Sequence, residues 1–147
     1  MGLFKKAARA VVKKGIEKAT GVKLNDYGYP IEDEHGFECT RVDNIHLSGV
    51  TYFKKGKNPQ KYIPKLRPGV EVKIISEPVE GHPEALLVID KKDRPLGWIP
   101  TGYRYKKLLF EIIDNNTTYY ARAKRILGGT KDKPTYGLII EVALYQK

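Results

Sequence analysis

The alternation of apolar and polar positions changes character twice along the chain. Over residues 3–14, Leu3, Phe4, Ala7, Ala8 and Val11 fall on one side at helical spacing, and Lys5, Lys6, Arg9 and Lys13 fall opposite. This predicts a basic amphipathic helix over residues 1–20, with Gly21 as its C-cap. Residues 21–44 follow neither a helical nor a strand period. They are rich in Gly, Asn, Asp, Tyr and Pro, with a turn at Tyr27-Gly28-Tyr29-Pro30 and an acidic cluster at Glu32, Asp33 and Glu34, so a linker or extended arm is expected. From residue 45 the pattern becomes a series of short β-like runs, at 46–53, 70–76, 85–90 and 96–99, followed by two longer ones at 117–127 and 135–145. Two helices interrupt them. Residues 59–66 can form a turn or two, limited by Pro64. Residues 103–113 space Tyr105, Leu108, Leu109 and Ile112 at three and four residues, which is a helical face.

Six strands with one longer inserted helix predict a mainly β fold, a small SH3-like or OB-like six-stranded barrel over residues 45–147. A parallel α/β sheet would need several crossover helices. Along the run 117–127, side chains alternate, so Tyr120, Arg122 and Lys124 share one face, which is basic and aromatic.

The length of 147 residues allows one domain with a short appendage. Charge adds a direction: 27 Lys and Arg against 17 Asp and Glu leave +10, and half of that excess sits in residues 1–20. A polyanion, either a nucleic acid or an anionic membrane surface, is therefore the first partner to consider. Cys39 is the single cysteine, which excludes an internal disulfide and suits a reducing cytoplasm. His35, His46 and His82 lack metal-ligand spacing. No apolar run approaches the roughly 20 residues of a membrane span. Lysines interrupt the N-terminal apolar residues, against a secretory signal, and Lys6 stands where a myristoylation sequence needs Ser or Thr.

Catalytic patterns are missing too. The two serines, Ser48 and Ser76, lie in strand-like sequence without a Gly-x-Ser-x-Gly elbow. Phosphate-cradling glycine loops are absent, and the carboxylates are scattered, with Glu77 and Glu84 the one pair to consider for convergence on a cation. The expectation is a cytoplasmic, non-catalytic protein with no cofactor, metal or small-molecule substrate.

From His46 onward the order of motifs resembles the HIRAN domain. The resemblance runs through Leu47-Ser48-Gly49-Val50-Thr51-Tyr52, Leu66-Arg67-Pro68-Gly69, Glu77-Pro78, Ala85-Leu86-Leu87-Val88 and Leu96-Gly97-Trp98-Ile99-Pro100, and covers about 100 of the 147 residues. It implies a small β-barrel that binds DNA without catalysis, in the best-known members by gripping the free 3′ end of a single strand. The implied pocket combines the segment after Gly49-Val50, the loop after Glu77-Pro78 and the segment 97–100. Tyr52 and Phe53 match positions that stack on bases. As neighbours on a regular strand they point to opposite faces, with Tyr52 expected outward.

This chain departs from the family pattern at several positions. Thr51 stands where DNA-end-binding members tend to carry Arg, and the loop after Pro78 is a residue short and lacks the Asp that meets a terminal hydroxyl. His82 and Glu84 are the available substitutes. Trp98 replaces a smaller or tyrosine-like residue, as a stacking platform or a barrel plug. Lys54 and Lys55 after Tyr52, Thr101, Tyr103, Lys106 and Lys107 after Pro100, and Tyr120, Arg122 and Lys124 complete the candidate set. The reading is a module for single-stranded DNA or DNA 3′ ends in a repair, replication or mobile-element setting. The alternative is a protein-interaction module in which residues 3–18 supply a membrane-surface, protein or oligomer contact.

Overall fold

The chain's β-rich half is organised around its last strand. In the computed structural model, which describes residues 22–147, β6 (Gly137–Gln146) lies between β1 (Glu38–His46) and β5 (Tyr119–Leu127), antiparallel to both. A second antiparallel sheet has β3 (Leu86–Ile89) between β2 (Lys73–Ser76) and β4 (Pro95–Trp98). The helix expected over residues 1–20, and with it the membrane or protein contact assigned to residues 3–18, lies outside the described residues. Among the described residues no helix is long and apolar enough to cross a membrane.

The fold is mainly β, as the pattern predicts, and five of the six expected runs contain strands; the remaining strand, β1, precedes the expected run 46–53, and the ladders make two three-stranded sheets. The sheets are linked by isolated bridges, Ser48 with Trp98 and Glu71 with Arg122. Val72 N–H donates to Ala121 O at 3.1 Å, and Ala123 N–H donates to Val70 O at 2.8 Å. The Tyr119 hydroxyl also bonds both backbone groups of Ile74, fastening β5 to β2. Between the sheets lies the core, built from residues such as Ile74, Leu86, Val88, Leu96, Leu138 and Ile140, all nearly without solvent contact.

Each helix has a local reason for its limits. Asn58 caps α1 (Pro59–Tyr62), accepting a bond from Gln60 N–H at 3.1 Å, and Pro59 occupies the first turn where no donor is needed. Pro64 cannot continue the ladder, so a single 3-10 turn follows at Ile63–Lys65. The second helix, α2 (Lys106–Asp114), turns Leu109 and Ile112 into the core.

The boundary expected at residue 44 falls inside β1, which starts at Glu38. That strand has only one fully buried position, Ile45, so it carries no hydrophobic alternation to announce it. The preceding arm is also part of the fold. Asn25 Oδ1 accepts from Tyr27 and Tyr29 N–H, and Asp33 Oδ1 accepts from His35 and Phe37 N–H, so two short polar side chains shape two turns. These turns bring Tyr29 onto the sheet, with its ring 5.7 Å from Tyr120, which in turn meets Tyr145 edge-on at 5.5 Å. The Tyr145 hydroxyl donates to Pro30 O. The arm thus covers a second apolar cluster on the outer face of β5 and β6.

Candidate nucleic-acid interface

The run 46–53 is not one strand. After β1, Leu47 and Ser48 continue alongside the sheets, Ser48 and Trp98 exchanging two backbone bonds at 2.9 and 2.8 Å. The chain then turns at Gly49, whose φ of +62° is a left-handed value that favours glycine. A Cβ at Gly49 would sit 2.6 Å from the Trp98 ring and 3.1 Å from the Tyr52 ring, so both aromatics close in on the glycine. Gly97 allows the same approach from the other side, because a Cβ there would lie 3.1 Å from both Leu47 Cβ and Ser48 O. Leu96 and Ile99 are buried on either side and leave Trp98 half-buried at the surface.

Because the turn ends the strand, the expected alternation at Tyr52 and Phe53 does not hold. Both rings are outside, 68% and 67% exposed, and neither is core. Gln60 holds this loop from behind: its amide nitrogen donates to Val50 O at 2.9 Å and to Tyr136 O at 2.8 Å, and its carbonyl accepts from Tyr136 N–H at 2.7 Å. Gly49→Ala is expected to cost about 1 kcal/mol or more from the left-handed backbone alone. Displacement of the ring beside it should also change Trp98 emission; urea unfolding followed by that fluorescence measures both.

The segment after Phe53 folds into a tight two-residue hairpin. Lys54 and Lys57 exchange backbone bonds at 2.9 and 3.0 Å, and Lys55 and Gly56 both take positive φ, the pattern of a type I′ turn. Lys54 Nζ lies 3.1 Å from Glu77, while Lys55 and Lys57 are exposed. A cavity of about 310 Å³ lies between this hairpin and Ile75, Leu87 and Ile89. Leu87 pairs with Trp98 across the ladder, so the cavity and the indole share one face of the sheet. Thr51 is exposed beside Tyr52.

The other candidates are distributed differently. His82 and Glu84 are exposed on the loop between β2 and β3, where Val79 and His82 close a turn through Gly81; no hydrogen bond or ion pair brings either to Tyr52 or Trp98. Thr101 is exposed in the loop before α2, and Lys106 and Lys107 open that helix. Tyr103 is engaged elsewhere: its hydroxyl donates to Asp43 at 2.6 Å, and Asp43 also holds Arg41 at 2.7 Å, with Arg41 stacked 3.5 Å from the Tyr105 ring. Burial and the Asp43 carboxylate raise the Tyr103 phenol well above its ordinary value, which keeps it a neutral donor that ties the segment before α2 to β1.

Tyr120 requires a correction. It shares a strand face with Arg122 and Lys124, but the arm covers that face, and Tyr120 is only 4% exposed between Tyr29 and Tyr145. Its ring is unavailable for stacking on a ligand. Arg122 and Lys124 converge on Glu141 of β6, at 2.6 and 3.1 Å, and Tyr29 donates to the same carboxylate at 2.9 Å. Burial works to raise the Glu141 carboxyl; the Tyr29 bond, the Arg122 charge and the Lys124 bond outweigh it and hold the group below its ordinary value. These two cations line a second groove of about 750 Å³, away from Tyr52, with residues absent from the candidate set, including Arg67, Lys91 and Lys92. Among the described residues no group of three or more His, Cys, Asp or Glu is arranged to hold a metal ion.

Two solved structures are similar to this chain. The HIRAN domain of human HLTF matches with a TM-score of 0.51 and 14% identity, over 72% of this chain and 76% of that one. The fold is HIRAN-like. A protein from Lactobacillus plantarum matches with a TM-score of 0.47 and 15% identity, over 71% of this chain and 98% of that one. No protein-family model matches the sequence, and no curated protein does.

Proposed function

We propose that this chain is a non-catalytic nucleic-acid-binding module, and that it takes single-stranded DNA on the face formed by Tyr52, Trp98 and the Lys54 to Lys57 hairpin. The observation that carries this reading is the placement of an exposed tyrosine against a half-buried tryptophan across Gly49, beside three lysines of which one is neutralised by Glu77. An aromatic platform next to cations is what a single strand needs, because every base offers a face for stacking and every linkage offers a phosphate. The HIRAN-like fold supports nucleic acid as the ligand class at a coarse level; DNA as the strand, and repair, replication or a mobile element as its setting, belong to the proposal. The terminal 3′ hydroxyl is a weaker contributor here than strand stacking: Thr51 supplies no guanidinium fork for a phosphate, and no hydrogen bond or ion pair among the described residues joins His82 or Glu84 to Tyr52.

Fluorescence anisotropy of a short single strand with a free 3′ hydroxyl, set against the same strand 3′-phosphorylated at two salt concentrations, tests this. Expected are salt-sensitive binding of both strands and affinities within a few-fold of each other. A large loss on 3′ phosphorylation moves the reading to end recognition, with Glu84 and His82 as the residues to replace next. Failure of both strands to bind at low salt sinks it.

A further inference from the structure

The second groove runs along the opposite side of the β3–β4 turn from the Tyr52 face. Its walls are the loop around Arg67 to Glu71 and the turn Asp90 to Arg94, and its floor is Arg122, Ala123 and Glu141. Seven of its lining residues are Lys or Arg, and three are Asp or Glu. The acids are largely spent inside the wall: Glu141 is shared by Arg122 and Lys124, and Asp90 holds Arg94 at 2.7 Å. Lys65, Arg67, Lys91 and Lys92 are exposed and form no ion pair among the described residues.

The backbone of both walls is pinned where those cations are carried. Asp90 Oδ1 accepts from Lys92 and Arg94 N–H, each at 2.9 Å, which shapes the turn that carries Lys91 and Lys92. Opposite, Gly69 N–H donates to Ala123 O at 2.7 Å, and Val70 N–H donates to Arg67 O at 3.1 Å, which pins the Arg67 loop to β5. The lining includes no aromatic residue. A site with concentrated positive charge and no ring to stack on is suited to phosphates and not to bases. The turn itself joins the two sites, since Asp93 lines the smaller cavity beside Lys54 to Lys57 while Lys91, Lys92 and Arg94 line this groove.

We infer that this groove is a second contact site for the sugar-phosphate backbone of a nucleic-acid strand, one that leaves the Tyr52–Trp98 face and crosses the β3–β4 turn. The inference rests on the DNA-binding reading above and extends the footprint beyond it. It makes binding depend on strand length. A strand of about four nucleotides occupies the aromatic face alone, whereas one of about sixteen reaches both sites, the span found for single-strand-binding barrels.

The experiment compares wild type, the triple variant Arg67→Ala/Lys91→Ala/Lys92→Ala, and Tyr52→Ala on strands of about four and about sixteen nucleotides across a salt series, with thermal unfolding as the check on folding. The three replaced residues are exposed and form no ion pair among the described residues, so the triple variant should fold as wild type does. It is expected to lose about tenfold or more in affinity for the long strand at low salt. The magnitude of its salt slope should fall by about two, from three phosphate contacts at about 0.7 each, with the short strand unaffected. An unchanged long-strand affinity and slope in a folded triple variant overturns the groove while leaving the aromatic face standing. The converse, a long strand that ignores Tyr52→Ala but is lost in the triple variant, keeps the groove and removes the aromatic face. Binding of neither strand by wild type removes both.

Discussion

Replacing Tyr52 with alanine is expected to weaken binding of a short single strand by about 5- to 150-fold, the equivalent of the roughly 1 to 3 kcal/mol that one base–aromatic stack contributes. The ring is 68% exposed, and its loop is held by Gln60 and by the Ser48–Trp98 bonds. The fold therefore does not depend on it, and urea unfolding of the variant should match wild type within about 0.5 kcal/mol. No charge is removed, so the salt slope should stay where it is, in contrast to the loss of a lysine. Tyr52→Phe should keep most of the affinity, because the stacking face remains. Phe53→Ala separates the two exposed rings: a smaller loss than for Tyr52→Ala is expected, since it is Tyr52 whose ring meets the Gly49 position beside Trp98. Quenching of Trp98 fluorescence by the bound strand gives an independent readout. Full affinity in a folded Tyr52→Ala variant would falsify the assignment of this face.

Glu141→Ala should be the most damaging single change to stability. The carboxylate is 2% exposed and is shared by the Tyr29 hydroxyl, Arg122 and Lys124. Removing it leaves a buried hydroxyl without its acceptor and a mostly buried guanidinium without its counter-charge. Breaking a buried pair from one side costs about 3 to 5 kcal/mol, a large part of the roughly 5 to 15 kcal/mol by which small domains are stable. Lys124 is nearly half exposed and its own bridge contributes little, so Lys124→Ala should be mild by comparison. The same carboxylate gives the protein an acid limit. Because its folded pKa lies below the ordinary 4.5, the stability it contributes is fully present above that value and is lost as pH falls through the depressed folded pKa. Asp33 and Asp43 are shifted in the same direction, against the opposing effect of burial, by hydrogen bonds that favour their charged forms. Glu141→Gln should therefore flatten, without abolishing, the loss of stability below about pH 4.5. Thermal melts of wild type and Glu141→Gln between neutral and acid pH check the sign: a wild type that gains stability on acidification contradicts it.

The β-rich architecture was legible because its carriers are local. The runs at Leu86 to Ile89 and in β5 and β6 are β-branched, aliphatic or aromatic residues bounded by turn signals, and Pro64 limits α1 by its missing donor in any context. The order of the motifs around Gly49, Gly97 and Trp98 was also readable, since tight backbone approach demands glycine wherever it occurs.

What stayed hidden depends on partners far along the chain. Strand β1 is polar by pattern and becomes a strand only because β6 offers it a ladder, and the arm is ordered by where Tyr29 and Pro30 land, on Tyr120, Glu141 and Tyr145. Tyr120, Arg122 and Lys124 do share a strand face, but alternation along a strand cannot say which face another segment will cover. Burying Tyr120 and turning the two cations onto Glu141 was decided by packing. The approach of Tyr52 and Trp98 to Gly49 and the gathering of Arg67, Lys91 and Lys92 around one groove are likewise products of the sheet arrangement. The sequence by itself determined the kinds of element, their turns and the basic, aromatic chemistry available. The tertiary structure decided which of those side chains face water together, because burial and charge pairing are set by neighbours in space.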